Sequence, residues 1–184
     1  PLLHQRVKNL IDQRILRPVE EEQSPPVWLH GKNNWNPWCS FNVLSAAMYT
    51  LDDKERLARL AWRLAESVET FTKTYGPDGG CDEGPMYWGV AAGMLLLFGE
   101  LLHGRSNGAI TFFDDPLFAE MGRYVRRAHL TGTWFASFAD SSARSTGNVE
   151  LIHRYGERIG DTDLQRLAQL LLCDGDPKAA PSPN

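Results

Sequence analysis

Residues 75–94 restrict the fold of this chain more than any other segment, and they read YGPDGGCDEGPMYWGVAAGM. The first half holds four glycines and two prolines, which break helix and strand patterns alike. Its acidic residues are Asp78, Asp82 and Glu83. An apolar run that begins with Tyr87 and Trp88 follows. We expect a rigid polar loop that holds a few functional side chains beside a buried helix. A plain helix–helix connection with acidic N-caps is the alternative.

Composition narrows the class of protein and its partners. The 184 residues are 42% hydrophobic and 23% charged, which indicates one globular unit with a sizeable core. The net charge of −4 comes without a basic block, so we expect no nucleic-acid partner. The longest apolar run, residues 88–99, is too short to span a bilayer, so we expect no membrane partner.

The cysteines and the N-terminal residues bear on disulfides, metal binding and cellular location. Cys39, Cys81 and Cys173 are odd in number and far apart, which argues against a disulfide framework. No paired Cys/His spacing indicates zinc, so we predict no metal and no cofactor. No signal peptide is visible, and both a cytoplasmic and a periplasmic or secreted location stay open.

Apolar periodicity predicts an all-α chain. The predicted helices cover residues 2–17, 39–51, 54–74, 86–102, 148–160 and 161–173, and one more starts at Pro116. Pro18 should end the first of these helices. Asp52 and Asp53, Asp115 and Asn148 should cap the helices that follow them, and Gly160 should end one. Residues 131–139 should be extended or irregular, and residues 140–147 should form a polar loop. Helices that are apolar all round alternate with amphipathic ones, which indicates hairpins of an inner and an outer helix. Such hairpins curl into an α/α toroid or part of one, and an irregular bundle is the alternative.

Three segments resemble one family of enzymes. GKNNWNPWC at 31–39 and YGPDGGCDEGPMYWGVAAG at 75–93 are similar to motifs of the heparinase II/III-like polysaccharide lyases and their alginate-lyase relatives. FASFADSSARSTGNVELIHRYGERIGD at 135–161 resembles the segment that follows them. The resemblance implies an α/α toroid followed by a β-sandwich. Residues 1–175 would then form a partial toroid domain, a fragment without the sandwich and its histidine, and residues 176–184 a disordered tail.

The resemblance also implies a reaction, the β-elimination of uronic-acid polysaccharides. The proton that is removed lies on the carbon next to a carboxylate, so the site must neutralise that carboxylate and stabilise the developing charge. It also needs a base for this proton and an acid for the departing glycosidic oxygen. The partner implied is an acidic polysaccharide or oligosaccharide.

Asn34 is the residue we predict to neutralise the carboxylate, with Asn33 as the second choice, because a carboxamide donates without adding negative charge. The alternative is that Asn33, Asn34 and Asn36 are turn formers. Tyr87 is the base and acid that the resemblance implies. A phenol serves as an acid more easily than as a base at neutral pH. Asn34 lies just before one predicted inner helix and Tyr87 lies at the start of another, so in a toroid they should meet at one rim although they lie far apart in sequence.

Other residues complete the predicted site. Trp35, Trp38 and Trp88 either stack on sugar faces or belong to the core. Glu83 organises the loop or binds a sugar hydroxyl, and His30 lies close to the asparagines. Relatives place a histidine in or beside the asparagine motif, whereas Trp35 follows Asn34 here, so no neighbouring histidine assists.

Two other functions stay open. A toroid glycoside hydrolase would use paired carboxylates, such as Asp82 or Glu83 with Asp140. A non-catalytic carbohydrate-binding helical domain would bind its ligand without turnover. An incomplete toroid exposes apolar helix faces, so the remainder of the same protein or a second copy is a further predicted partner.

Overall fold

Helices make up most of the chain, in agreement with the predicted all-α class. The computed structural model describes residues 2–174, so the tail predicted for 176–184 lies outside the described residues. The α-helices are α1 Leu2–Ile11, α2 Arg17–Glu20, α3 Trp35–Thr50, α4 Lys54–Thr72, α5 Ala92–Arg105, α6 Pro116–Ala128, α7 Val149–Ile159 and α8 Thr162–Asp174. A π-helical turn covers Asp12–Leu16, and 3₁₀ helices cover Val27–His30 and Tyr87–Val90. Two short strands, β1 His129–Thr131 and β2 Trp134–Phe135, pair antiparallel.

The described residues form two compact units. Unit 1 consists of residues 2–74 and 97–110, and unit 2 consists of residues 75–96 and 111–174. None of the helices in residues 2–174 has the length and apolarity that a bilayer span requires.

Unit 1 contains the expected hairpin of α3 and α4. Residues 51–53 join the two helices, and the Asp53 carboxylate caps α4 by accepting hydrogen bonds from the backbone N–H groups of Glu55 and Arg56, both at 3.0 Å. Leu44 of α3 and Leu60 and Leu64 of α4 are buried in the core. The start and cap of α4 are therefore confirmed.

Three predicted features of unit 1 are wrong. Pro18 does not end the first helix, because the preceding π-helical turn widens the hydrogen-bond ladder and the chain stays helical to Glu20. Helix α3 begins at Trp35 instead of Cys39, since Pro37 lies in its first turn, where a missing N–H is tolerated. Helix α3 also buries only one face, and Tyr49 on it is 86% exposed.

Unit 2 is built on α6, α7 and α8. The Asp115 carboxylate caps α6 by accepting a hydrogen bond from the backbone N–H of Leu117 at 2.8 Å. The Asn148 side chain caps α7 by accepting a hydrogen bond from the backbone N–H of Leu151 at 3.2 Å. Gly160 ends α7 in the left-handed conformation, with φ of +67°. These predicted helix ends are confirmed, because each depends on a signal within a few residues.

The helix predicted for 86–102 is interrupted. A 3₁₀ turn covers Tyr87–Val90, the backbone of Ala91 leaves the helical region, and α5 starts only at Ala92. Gly89 and Gly93 flank the break and lower the local helix propensity. Tyr87 therefore lies on a separate turn ahead of the helix.

An ion-pair cluster in unit 1 joins the N-terminal helical segment to α4. The Arg56 guanidinium donates to Asp12 Oδ1 at 2.5 Å and to both Glu20 carboxylate oxygens at 2.8 Å. Arg17 donates to the second Asp12 oxygen at 2.8 Å. The hydrogen bond from Arg56 holds the pKa of Asp12 below its ordinary value of 3.8.

Acid should weaken unit 1 through this cluster. Because the folded-state pKa of Asp12 is lowered, its contribution to stability is complete above 3.8 and is lost as the pH falls through the lower folded-state value. We expect Asp12→Asn to cost roughly 1 kcal/mol at neutral pH. In thermal unfolding followed from neutral pH to below 3.8, the variant should show the smaller acid-induced fall in Tm. Equal falls in both proteins would contradict this assignment.

Candidate functional site

Both units carry residues of the predicted site. Unit 1 contains His30, Asn33, Asn34, Trp35 and Trp38, and unit 2 contains Glu83, Tyr87 and Trp88. The convergence of Asn34 and Tyr87 stays a prediction.

The asparagines of unit 1 differ in accessibility. Asn34 occupies the N-cap position of α3, and its carbonyl accepts the Trp38 N–H at 3.2 Å. Asn34 is only 6% exposed, whereas Asn33 and His30 are exposed. In this conformation a ligand can reach Asn33 directly, while most of Asn34 is covered by protein.

Asn36 was expected to be a turn former, but it is a buried tie between segments. Its side chain is fully buried, and Nδ2 donates to the Gly31 carbonyl at 3.0 Å and to the Ser67 carbonyl at 2.9 Å. Ser67 Oγ donates in turn to the carbonyl of Leu29 at 2.5 Å. Asn36 thus holds the segment before α3 against α4. An asparagine between two tryptophans in an apolar helix is the sequence signal that could have identified it.

Removing this tie should destabilise unit 1. Asn36→Ala leaves buried carbonyls without a donor, so we expect the free energy of unfolding to fall by about 1–3 kcal/mol. Asn42, an exposed asparagine on the same helix, provides the control. Asn42→Ala should stay within about 0.5 kcal/mol of the unchanged protein in urea denaturation. Equal losses in the two variants would show that Asn36 is not a tie.

Trp35 and Trp38 form an aromatic surface on α3. They are 56% and 40% exposed, and their ring centroids lie 5.7 Å apart with an interplanar angle of 27°. Large aromatic rings left in solvent are available to a ligand with an apolar face. The exposure is compatible with the predicted stacking on sugars.

In unit 2 the glycine-rich loop is fastened to α6. Gly79 has φ of +66° and lies directly against the α6 backbone, where a Cβ would come within 2.3 Å of the Glu120 carbonyl carbon. The Arg127 guanidinium donates to the carbonyl of Asp78. Glu120 accepts from Arg127 at 2.7 Å and so fixes that guanidinium. The loop is therefore held by backbone proximity and by a charged clamp.

Ser141 holds the next part of the loop, a role that the sequence did not reveal. Its buried hydroxyl accepts the Met86 N–H at 2.9 Å and donates to the Glu83 carbonyl at 3.3 Å. Gly84, with φ of +86°, makes room for this contact, since a Cβ there would lie 2.3 Å from Ser141 Oγ. Glu83 thus takes part in organising the loop, at least through its backbone.

Trp88 belongs to the core of unit 2. It is 1% exposed, its indole N–H donates to the Met121 carbonyl at 2.7 Å, and its ring contacts Tyr155 at a centroid distance of 5.5 Å. This burial argues against the predicted stacking of Trp88 on a sugar. The ring anchors the 3₁₀ turn that carries Tyr87.

Tyr87 is half-buried and lies at the start of that turn. Its backbone N–H donates to the Gly84 carbonyl at 3.2 Å, and its two neighbours, Met86 and Trp88, are both hydrogen-bonded to distant residues. A cavity of about 280 Å³ opens on the same turn. Its lining includes Pro85, Met86, Gly89, Ser142, Ser145 and Asn148. This volume is close to the lower end of the range for small-molecule pockets, about 300 Å³.

The other phenols of unit 2 are poorly suited to proton transfer. Burial raises the pKa of Tyr124 to about 12, and it raises the pKa of Tyr75 and of Tyr155 well above the ordinary value of 10. The Tyr155 hydroxyl also donates to the Phe118 carbonyl at 2.9 Å. Tyr87 is half-buried, and the residues on either side of it line the cavity, although Tyr87 itself does not.

The described part of the chain contains no cluster of side chains suited to bind a metal ion. Among residues 2–174, no group of three or more histidine, cysteine, aspartate or glutamate side chains is placed to hold a metal ion.

Comparison of the chain with models of known protein families and with curated proteins found no match. The likeness to the heparinase II/III-like lyases therefore depends on the segments at 31–39, 75–93 and 135–161 alone.

Proposed function

We propose that this protein cleaves uronic-acid-containing polysaccharides by β-elimination, with Tyr87 as the residue that transfers the proton. The observation that carries the proposal is the position of Tyr87, a half-buried tyrosine on a turn whose neighbouring residues, Met86 and Trp88, line a cavity that Tyr87 itself does not line. The turn is held on both sides, by Ser141 at Met86 and by Met121 at Trp88. A proton-transferring group works best when its position is fixed before the substrate arrives.

The carboxamides of unit 1 supply the second function that elimination needs. Asn33 and Asn34 are both able to donate N–H groups to the substrate carboxylate and so to lower the cost of removing the neighbouring proton. The burial of Asn34 shifts the expected role towards the exposed Asn33. The proposal requires one of them to act on the same sugar as Tyr87.

An arrangement of helix hairpins as part of an α/α toroid belongs to the same proposal. Two pairs of consecutive helices support it. Helices α3 and α4 are joined by residues 51–53, and α7 and α8 are joined by residues 160–161. Within each pair the two helices pack against each other, as the two helices of a toroid hairpin do.

The products test the proposal. The protein is incubated with heparan, chondroitin, alginate and pectic polymers, and ultraviolet absorbance is followed. Elimination leaves an unsaturated sugar that absorbs, so absorbance should rise with at least one polymer. New reducing ends without absorbance would replace the proposal by hydrolysis, with Asp82 or Glu83 and Asp140 as the carboxylates to examine. No cleavage of any of these polymers would also overturn it.

A non-catalytic carbohydrate-binding domain is the second candidate, and the exposed Trp35–Trp38 pair favours it. In that case the acidic polymers bind but no turnover occurs. Tyr87→Phe would then leave the affinity unchanged. Turnover that depends on Tyr87 excludes this candidate.

A further inference from the structure

A groove of about 290 Å³ lies in unit 1 between the N-terminal helical segment and α3. Three tryptophans, Trp28, Trp35 and Trp38, contribute to its lining, together with Pro18 and Pro26. Such a wall is rigid, because proline and tryptophan side chains have few rotatable bonds. The groove therefore presents a largely preformed aromatic surface.

Arg14 is the charged residue of this groove. It lines the groove beside Ile15. Its side chain is exposed, and no ion pair joins it to any other residue in the range 2–174. Its neighbours Asp12 and Arg17 are instead paired with each other at 2.8 Å. The guanidinium is thus available to an anionic group of a ligand.

Asn42 adds a polar acceptor to the same lining. Its Nδ2 donates to the Trp38 carbonyl at 2.8 Å, which fixes the orientation of the carboxamide. The Oδ1 atom is left to accept a hydrogen bond from a ligand hydroxyl. The groove therefore combines flat aromatic faces, one cation and one oriented acceptor.

We propose that this groove binds one acidic sugar unit of the glycan, an inference that rests on the proposed function and names a second contact region for its substrate. The apolar face of the sugar ring lies on the exposed tryptophans, and the Arg14 guanidinium binds the ring carboxylate. The Asn42 Oδ1 atom accepts a hydrogen bond from a hydroxyl of the sugar.

The size and charge of the groove favour a sugar over a peptide. A groove of 290 Å³ accommodates a ring with its substituents, whereas aromatic grooves that bind proline-rich peptides extend along several residues. A single unpaired cation also matches the one carboxylate of a uronic acid. A proline-rich peptide is accordingly the competing ligand in the test.

Calorimetric titration of the protein with oligogalacturonate, oligomeric alginate and heparan oligosaccharides tests the proposal, with a neutral oligosaccharide and a proline-rich peptide as comparisons. Arg14→Gln should weaken binding of the acidic oligosaccharides by about tenfold or more, because a charged hydrogen bond is lost. Trp35→Ala should weaken it by about fivefold or more, through loss of aromatic contact. Circular dichroism and Tm confirm that each variant is folded.

Two matched variants control for charge and for aromatic area. Arg6 and Trp62 are exposed residues of unit 1 that do not line the groove. Arg6→Gln and Trp62→Ala should each leave affinity within about twofold of the unchanged protein. Equal effects of Arg14→Gln and Arg6→Gln overturn the proposal, as does tighter, Trp35-dependent binding of the peptide.

The failure of this inference is distinguishable from the failure of the proposed function. If Arg14→Gln and Trp35→Ala bind oligosaccharides normally while elimination products still form, only the groove proposal fails. If the groove binds acidic oligosaccharides in an Arg14-dependent way and no polymer is eliminated, only the lyase proposal fails.

Discussion

Replacing Tyr87 by phenylalanine is expected to lower the rate of elimination by about 10²–10⁴-fold. The substitution removes one hydroxyl and keeps the ring, so the packing of this half-buried side chain is preserved. The initial rate of ultraviolet absorbance increase, measured on each polymer that the unchanged protein cleaves, gives the effect. The loss should fall mainly on kcat, because the phenol acts in the chemical step and binding relies on other residues.

Tyr49→Phe is the matched control for this variant. Tyr49 lies in unit 1 and is 86% exposed, so losing its hydroxyl should leave the rate within about twofold. A Tyr87→Phe protein that is folded and keeps its full rate would remove Tyr87 from the chemistry. A rise in KM with unchanged kcat would assign it to binding instead.

The second large effect concerns the loop that supports Tyr87. Gly79→Ala should lower the free energy of unfolding by about 1–3 kcal/mol more than Gly160→Ala does. Both glycines have a left-handed backbone, with φ of +66° and +67°, so both alanines carry the same conformational penalty of about 1–2 kcal/mol. At Gly79 the new Cβ would also lie 2.3 Å from the backbone of Glu120 and Met121. At Gly160 nothing lies within 4 Å.

The pair of variants therefore isolates the cost of the close approach between the loop and α6. Urea denaturation of the whole protein gives the difference in the free energy of unfolding between the two variants. The elimination rate gives the functional consequence. We expect Gly79→Ala to lose activity because the turn with Tyr87 follows the same loop, and Gly160→Ala to keep it. Equal destabilisation by the two variants would mean that the loop moves away from α6 without cost.

Features with local signals could be predicted from the sequence. Asp53 and Asp115 were identified as caps because an N-cap acts on N–H groups two or three residues ahead. Gly160 was identified as a helix stop for a similar reason. The all-α class and the α3–α4 hairpin follow from the same local patterns.

Features that depend on distant partners could not be predicted. Asn36 was taken as a turn residue because its partner Ser67 lies on the next helix. Trp88 was placed in the site, but the carbonyl of Met121 draws its indole into the core. Ser141 was assigned to a polar loop, although it holds the turn before Tyr87. Composition alone does not separate a buried polar tie from an exposed binding residue.

The source of the oxygen in the products tests the central claim, elimination, most directly. The polymer that gives absorbance is cleaved in water labelled with heavy oxygen, and the products are weighed by mass spectrometry. Elimination forms the new double bond without adding water, so the product masses, corrected for exchange of the reducing-end oxygen with solvent, should sum to that of the substrate. Product masses that exceed the substrate by one water for each bond cleaved would show hydrolysis and contradict the account.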